Sequence, residues 1–306
     1  MYRLEEILKI AYENGASDLH IRSGAEPLMR VSGALLPVGM AKFTAADTLE
    51  LLISVLSETE RNTFEEQGDY ETAYEAEGLC RCRLRIYKAK SGAAIAARLI
   101  PFTAPRLASL SYTEEEKKGL CAICEKRTGL VLLTGGAGTG RSTLLAALLT
   151  EISRLRAANI MTLEKPIEYV LENDRSTITQ RELNVDTRDR ESALQSALRG
   201  DADVLAFADV NDAVSVENAL LFAEAGRLAF AVTEAGSLTD AVGRLLDYFP
   251  AHRQALCKKR LTGALAAAAL CKRDVLYEKG DGAEAEKAQA RYSCEIFLPP
   301  AKPAPK

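Results

Sequence analysis

Residues 134–142 read Thr134-Gly135-Gly136-Ala137-Gly138-Thr139-Gly140-Arg141-Ser142. The phosphate-loop pattern G-x-x-x-x-G-K-[ST] is met at Gly135, Gly140 and Ser142, and its lysine slot holds Arg141. Before the loop, Gly129 to Thr134 is apolar and partly β-branched, which predicts a buried parallel strand. After it, Ser142 to Leu149 is a strong helix-forming run. Strand, glycine loop and helix form the context in which successive backbone N–H groups and the positive end of a helix dipole hold phosphate oxygens. Ser142 is placed to ligate Mg²⁺. An ordinary glycine-rich turn would account for the glycines alone. The Ser142-Thr143 pair and the flanks on both sides favour a phosphate site.

Arg141 keeps the charge of the lysine but not its shape. Lysine is a compact ammonium, whereas arginine presents a broad planar fork, so the exchange is not conservative. Phosphate binding can survive on backbone donors. Placement of a terminal phosphate is the property at risk.

The 306 residues suggest two domains, and 47% apolar content suffices for two cores. A net charge of −4 argues against a nucleic-acid binder driven by phosphate neutralisation. Apolar stretches are short or broken by charge, so neither a signal peptide nor a membrane span is expected, and the default location is the cytoplasm. Cys121 and Cys124 form a lone C-x-x-C without the second pair a zinc site needs, so core packing is the expected role of the seven cysteines. With two histidines, His20 and His252, a multi-histidine metal site is excluded.

Along the chain, residues 2–13 read as an amphipathic helix with Leu4, Ile7, Leu8 and Ala11 on one face. Strand-like segments follow at 17–21 and 27–31, and helices at 44–56 and 59–67. Over 79–87, Cys82, Leu84 and Ile86 alternate with Arg81, Arg83 and Arg85, which predicts a half-exposed strand with one basic face, paired with 93–100. The expected organisation is a small α/β domain over 1–101, a linker over 102–112, a larger α/β domain with a parallel sheet over 113–298, and a disordered Pro/Lys-rich tail over 299–306. Thr113 and Glu116 make a capping box at the start of the helix bearing Cys121 and Cys124. Further strands are expected at 159–163, 204–208 and 228–233, and helices at 191–199, 213–225 and 238–246. An alanine-rich helix is expected over 251–270, with Lys258-Lys259-Arg260 as a solvated face, and a charged loop over 279–291.

Taken in order, these motifs resemble the type II/IV secretion ATPases, most closely the pilus retraction branch. Gly15-Ala16-Ser17-Asp18-Leu19-His20 with Gly24, Pro27, Arg30 and Gly33 is similar to that family's opening signature, and Arg81-Cys82-Arg83 and Arg98-Leu99-Ile100-Pro101 to its closing strands. Thr162-Leu163-Glu164-Lys165-Pro166-Ile167-Glu168 resembles the acidic box, with Gln180-Arg181-Glu182, Asp186-Thr187 and Ala197-Leu198-Arg199 following. Ala223-Glu224-Ala225-Gly226 and Phe249-Pro250 complete the series. The resemblance implies a RecA-like P-loop NTPase domain preceded by a small PAS-like domain. It also implies a ring, typically a hexamer, that couples ATP and Mg²⁺ to movement at a pilus or secretion platform, peripheral to the inner membrane. Its nucleotide contacts would be Gly135, Gly136, Ala137, Gly138, Thr139, Gly140, Arg141, Ser142 and Thr143. Glu164 would orient or deprotonate the attacking water, Ser142 and Asp209 would serve Mg²⁺, and Arg83 and Arg98 would act on a neighbour's phosphates in the manner of arginine fingers.

Departures from the family pattern gather at chemical positions. Lys165 stands where the acidic box has aspartate, Asp209 where the second acidic motif has glutamate, and Ala208 where it has glycine. Glu234 replaces the histidine of the histidine box, a second customary histidine is replaced in Ala223 to Arg227, and Ser91 stands where an arginine is common. A negative Glu234 near a phosphate would repel it, and Lys165 beside Glu164 would pair with it and lower its basicity. The family's C-terminal helical region is also expected to be missing. Two readings follow: a family member that binds ATP with weak or no hydrolysis, a subunit or regulator whose partner would be an active paralogue or the platform protein, or a fully active retraction motor.

Overall fold

The structure is a computed structural model in which residues 3–31, 33–100, 103–278 and 287–300 are described. The chain divides into two compact units, one of Met1–Thr103 with Val275–Ala290, the other of Ala104–Asp274 with Arg291–Lys306.

The first unit opens with α1 (Leu4–Glu13), whose Leu4, Ile7, Leu8 and Ala11 are buried at helical spacing. Strands β1 (Asp18–Arg22), β2 (Leu28–Val31) and β3 (Ala34–Pro37) follow, then α2 (Ala45–Val55) and α3 (Glu58–Gln67). Capping boxes at Thr44/Asp47 and Ser57/Glu60 start both of these helices. Then come β4 (Asp69–Ala76), β5 (Cys80–Ala89) and β6 (Gly92–Ile100), and the sheet runs β3-β2-β1-β6-β5-β4. Every neighbour in it is antiparallel. Along β5, Cys80, Cys82, Leu84 and Ile86 are buried in the core with the three helices. The opposite face carries the three arginines, and β4 answers them with acids: Arg81 pairs with Glu75, Arg83 with Glu71 and Arg85 with Asp69. Two strands, β3 and β4, are additional to the sequence reading. β3 is only four residues long and exposed throughout, and β4 buries a single residue, Ala76, so neither carries a long buried apolar run to betray it.

The second unit begins with a short 3₁₀ turn at Leu107–Ser109 and α4 (Glu114–Cys124), opened by the Thr113/Glu116 box. The stretch expected to be a linker carries Leu107 and Tyr112, both buried in this unit's core. Next come β7 (Gly129–Gly135), α5 (Arg141–Leu155), β8 (Asn159–Glu164), β9 (Thr177–Glu182), α6 (Arg190–Arg199), β10 (Val204–Phe207), α7 (Ala213–Glu224) and β11 (Leu228–Val232). The unit closes with α8 (Leu238–Asp247), α9 (Ala251–Ala264), β12 (Leu265–Glu278) and β13 (Lys287–Phe297). Its sheet runs β13-β12-β7-β11-β10-β8-β9, and the strands from β12 to β9 are parallel. Alternate residues of β7 feed two cores: Leu130 and Leu132 pack with α6 to α9, Val131 and Leu133 with α4 and α5. The central strand is therefore apolar on both faces, as a doubly covered parallel sheet requires.

One helix is shorter than its composition suggests. The alanine-rich run expected to be helical to residue 270 leaves the helix at Ala264, and Leu265 onward is β12. Ala267, Ala268, Ala269 and Leu270 pair with β7 and are fully buried, so the place beside the central strand overrides the helical preference of alanine. Of the charged loop expected over 279–291, residues 279–286 lie outside the described residues and 287–291 belong to β13. Most of the tail expected to be disordered, 301–306, also lies outside them, as does the boundary at 101–102.

Candidate functional site

Four neighbouring strands, β7, β11, β10 and β8, deliver their carboxyl ends to one edge of the second unit, where open α/β sheets bind ligands. At the end of β7 the chain needs glycine. A Cβ on Gly135 (φ 154°) would stand 2.5 Å from both the Cys271 carbonyl oxygen and the Thr139 Oγ1. Gly138 and Gly140 have φ of 73° and 88°, a left-handed geometry that other residues rarely adopt. Thr139 Oγ1 donates to the Gly136 carbonyl at 2.8 Å and closes the turn. Gly140 is the N-cap of α5 and no side chain caps the helix, so its first-turn N–H groups face the loop. Thr143 in that first turn is tied to Tyr169, hydroxyl to hydroxyl, at 2.9 Å.

Arg141 does not lie idle in the lysine slot. Its Nη2 is 3.4 Å from Glu234 Oε2, in the loop after β11. The Glu234 carbonyl in turn accepts from Arg244 Nη1 at 3.1 Å. The two charge-bearing departures at the glycine loop and the histidine box are therefore partners.

Glu164 ends β8. One of its oxygens accepts from Thr162 Oγ1 at 2.7 Å and from Gln180 Nε2 at 2.9 Å, and the carboxylate also accepts the backbone N–H of Glu168. Burial is the largest influence and pushes its pKa up, while these three donors favour the ionised form and act against the rise. Lys165 is exposed and makes no ion pair with Glu164 among the described residues, so the expected lowering of Glu164's basicity by Lys165 is not found. The Lys165–Pro166 bond is cis.

Asp209 follows β10. Its carboxylate accepts from Asn211 Nδ2 at 2.7 Å, and Arg190 holds Asn211 and Asp212 at 3.1 Å each. Glu164, Lys165, Arg190 and Asp209 line one narrow crevice of about 10 Å³ with Leu163, Leu183 and Phe207. That is near the minimum for one water molecule. Glu164 and Asp209 thus meet beside the glycine loop's sheet edge. Arg83 and Arg98 belong to the first unit, opposite each other in β5 and β6, and Arg83 is engaged with Glu71.

Sequence reasoning passed over Gln180 as a chemical residue. Beyond Glu164, its amide donates to the Tyr169 carbonyl at 2.7 Å and accepts the Leu171 N–H at 2.8 Å. Its place opposite Thr162 in the β8–β9 register is a long-range fact, visible only once the strands pair. Among the described residues no group of three or more His, Cys, Asp or Glu could hold a metal ion by itself, so a Mg²⁺ here would need phosphate oxygens as ligands. No helix among them is long and apolar enough to cross a membrane.

A doubly covered parallel sheet with a glycine loop between β7 and α5 defines a RecA-like P-loop domain, joined here to a small antiparallel α/β unit. The chain belongs to the family described as Type II/IV secretion system protein, whose profile matches residues 2–269. It is 31% identical over 262 residues to the type IV pilus retraction ATPase PilT of Pseudomonas aeruginosa, covering 86% of this chain and 75% of that protein. It is 32% identical over 249 residues to the type IV pilus ATPase PilU of the same organism, covering 81% of this chain and 64% of that protein. Among solved structures, the pilus retraction motor PilT with bound ADP superposes with a TM-score of 0.82 at 31% identity, over 98% of this chain and 84% of that one. The ATPase DotB of Legionella pneumophila shares the fold, with a TM-score of 0.79 at 19% identity over 96% of this chain and 80% of that one.

Proposed function

We propose that this chain is a pilus retraction-type P-loop subunit that binds ATP with Mg²⁺ and hydrolyses it weakly or not at all. The observation that carries this reading is the Arg141–Glu234 pair. Glu234 is half exposed, and a pair of that kind is worth about 0–1 kcal/mol. A competing contact of that size lowers phosphate affinity by no more than about fivefold. Binding on the loop's backbone donors therefore survives, which fits the ADP of the similar PilT structure. Turnover is the more sensitive property. Phosphoryl transfer depends on placing charge at the terminal phosphate, and an arginine drawn toward Glu234 is poorly disposed for it.

The residues fit a Mg-nucleotide. Gly135 to Thr143 would hold the phosphates, and Ser142 and Asp209 would hold Mg²⁺, which when bound neutralises charge on the phosphates. Glu164, buried and held by Thr162 and Gln180, would orient the attacking water and accept its proton, a role worth roughly 10²–10⁴-fold. Arg83 and Arg98 would act in trans on a neighbouring subunit of a ring, a hexamer by family resemblance. The partners of this reading are further copies of the chain or an active paralogous ATPase, and a pilus or secretion platform protein at the cytoplasmic side of the inner membrane.

A second reading, a fully active retraction motor, is favoured by one observation: the water-ordering end of the site, around Glu164, is complete in its hydrogen bonds. Mg-ATP binding and steady-state hydrolysis of the purified protein, alongside Arg141→Lys, separate the two. Affinity with little turnover supports the first reading. Robust turnover of the unaltered protein establishes the second, and absence of nucleotide affinity removes both.

A further inference from the structure

The glycine loop has a second neighbour that no motif marks. Strand β12 runs parallel to β7 with Cys271 opposite Gly135, so Arg273, two residues further on, lies beyond the end of β7 and over the loop. A Cβ on Gly138 would stand 3.6 Å from Arg273 Nη1. A Cβ on Gly140 would stand 3.6 Å from Tyr292 Cδ1, on β13. The Arg273 guanidinium carbon lies 5.9 Å from the centre of the Tyr292 ring, a cation–π contact. Tyr292 itself packs against the core shared with α5. Arginine and tyrosine thus stand over the two left-handed glycines of the loop.

The loop's own cation is engaged elsewhere, with Glu234. Arg273 is exposed and makes no ion pair among the described residues. We propose that Arg273, aimed by Tyr292, is the principal phosphate-contacting cation of this site, in place of the residue at the lysine slot. The ligand class is a nucleoside di- or triphosphate, so the inference rests on the nucleotide-binding reading above. A guanidinium offers two parallel donors to a phosphate, and the Tyr292 face limits the directions in which that fork can swing. Tyr292 is a positioning residue: it acts through Arg273.

The test is equilibrium binding of ADP and ATP, with Mg²⁺, to the full chain and five variants: Arg273→Ala, Arg273→Lys, Arg141→Ala, Tyr292→Phe and Tyr292→Leu. Charge-assisted hydrogen bonds to a phosphate are among the stronger ones, so Arg273→Ala weakens both ligands by roughly tenfold or more. Arg273→Lys recovers part of the loss. Arg141→Ala costs less than about fivefold, because it removes a charge already offset by Glu234. Tyr292→Phe, which keeps the ring face, binds as the unaltered protein does, whereas Tyr292→Leu follows Arg273→Ala. Circular dichroism on each variant confirms folding. If Arg141→Ala costs more than Arg273→Ala, or if Arg273→Ala binds normally, the inference is overturned while the nucleotide site stands. If the unaltered protein binds neither ligand, the nucleotide reading fails, and the inference with it.

Discussion

Arg141 Nη2 and Glu234 Oε2 lie 3.4 Å apart, joining the start of α5 to the loop after β11. Each residue is a departure from the family's usual choice, and in each other's presence neither charge stands alone. The arginine meets a carboxylate where a bare lysine slot would meet phosphate, and the carboxylate's repulsion of a phosphate is reduced by the same contact.

Glu234→Gln frees Arg141 and removes a negative charge from the loop's surroundings. ATP affinity rises by up to about fivefold, the ceiling set by a half-exposed ion pair, and hydrolysis does not return. A double-mutant cycle with Arg141→Ala in a binding titration yields a coupling of about 1 kcal/mol or less.

Glu164 imposes a pH dependence of known sign. Burial raises its pKa in the folded chain, so the folded state holds the proton more tightly than the unfolded state. Stability is then fully present below the ordinary carboxylate range and falls as pH rises through the raised value. Glu164→Gln lacks this dependence. Its denaturation midpoint gains on that of the unaltered protein from pH 4 toward pH 8, as urea titrations at several pH values will register. A difference that is flat across that range would contradict the burial argument.

Gln180→Leu removes three part-buried hydrogen bonds, to Glu164, to the Tyr169 carbonyl and from the Leu171 N–H. The expected loss is about 1–3 kcal/mol for the unsatisfied polar groups, measured by urea unfolding, with a parallel loss of any ATP turnover through the displaced Glu164.

Gly135→Ala and Gly236→Ala make a matched pair. At Gly135 the new methyl would meet the backbone oxygen of Cys271 at 2.5 Å on a strand that cannot easily yield, so the variant is destabilised by about 1–3 kcal/mol. At Gly236 nothing lies within 4 Å, and the change is neutral or slightly stabilising. Thermal unfolding of the two variants side by side reads the contrast.

The architecture was legible where structure is local. The glycine loop between a β-branched run and a helix-forming run identified β7 and α5, and the Thr113/Glu116 box marked the start of α4. What stayed hidden depended on pairing at a distance. Strand β9 is polar at most positions, and only its register with β8 makes Gln180 a partner of Glu164. The alanines of 265–270 read as helix because alanine's preference is strong and the neighbour that overrides it, β7, is far away in the sequence. At the site, the sequence supplied the residues and their departures, including Glu164, Asp209, Arg141 and Glu234. It did not supply who faces whom, and it suggested the wrong partner for Glu164.

That error has a general side. Lys165 follows Glu164 directly and leaves it unpaired, whereas Arg141 finds its acid 93 positions away. Strand order is the reason: β7 and β11 are adjacent in the sheet, and successive residues leaving a strand point to opposite sides. Compensation for an altered charge at this edge therefore runs sideways, from the tip of one strand to the tip of the next. Across relatives of this chain, an arginine at the lysine slot should be accompanied by an acid at the tip of β11 more often than by any change in its own loop, a pattern of paired inheritance that the sheet imposes.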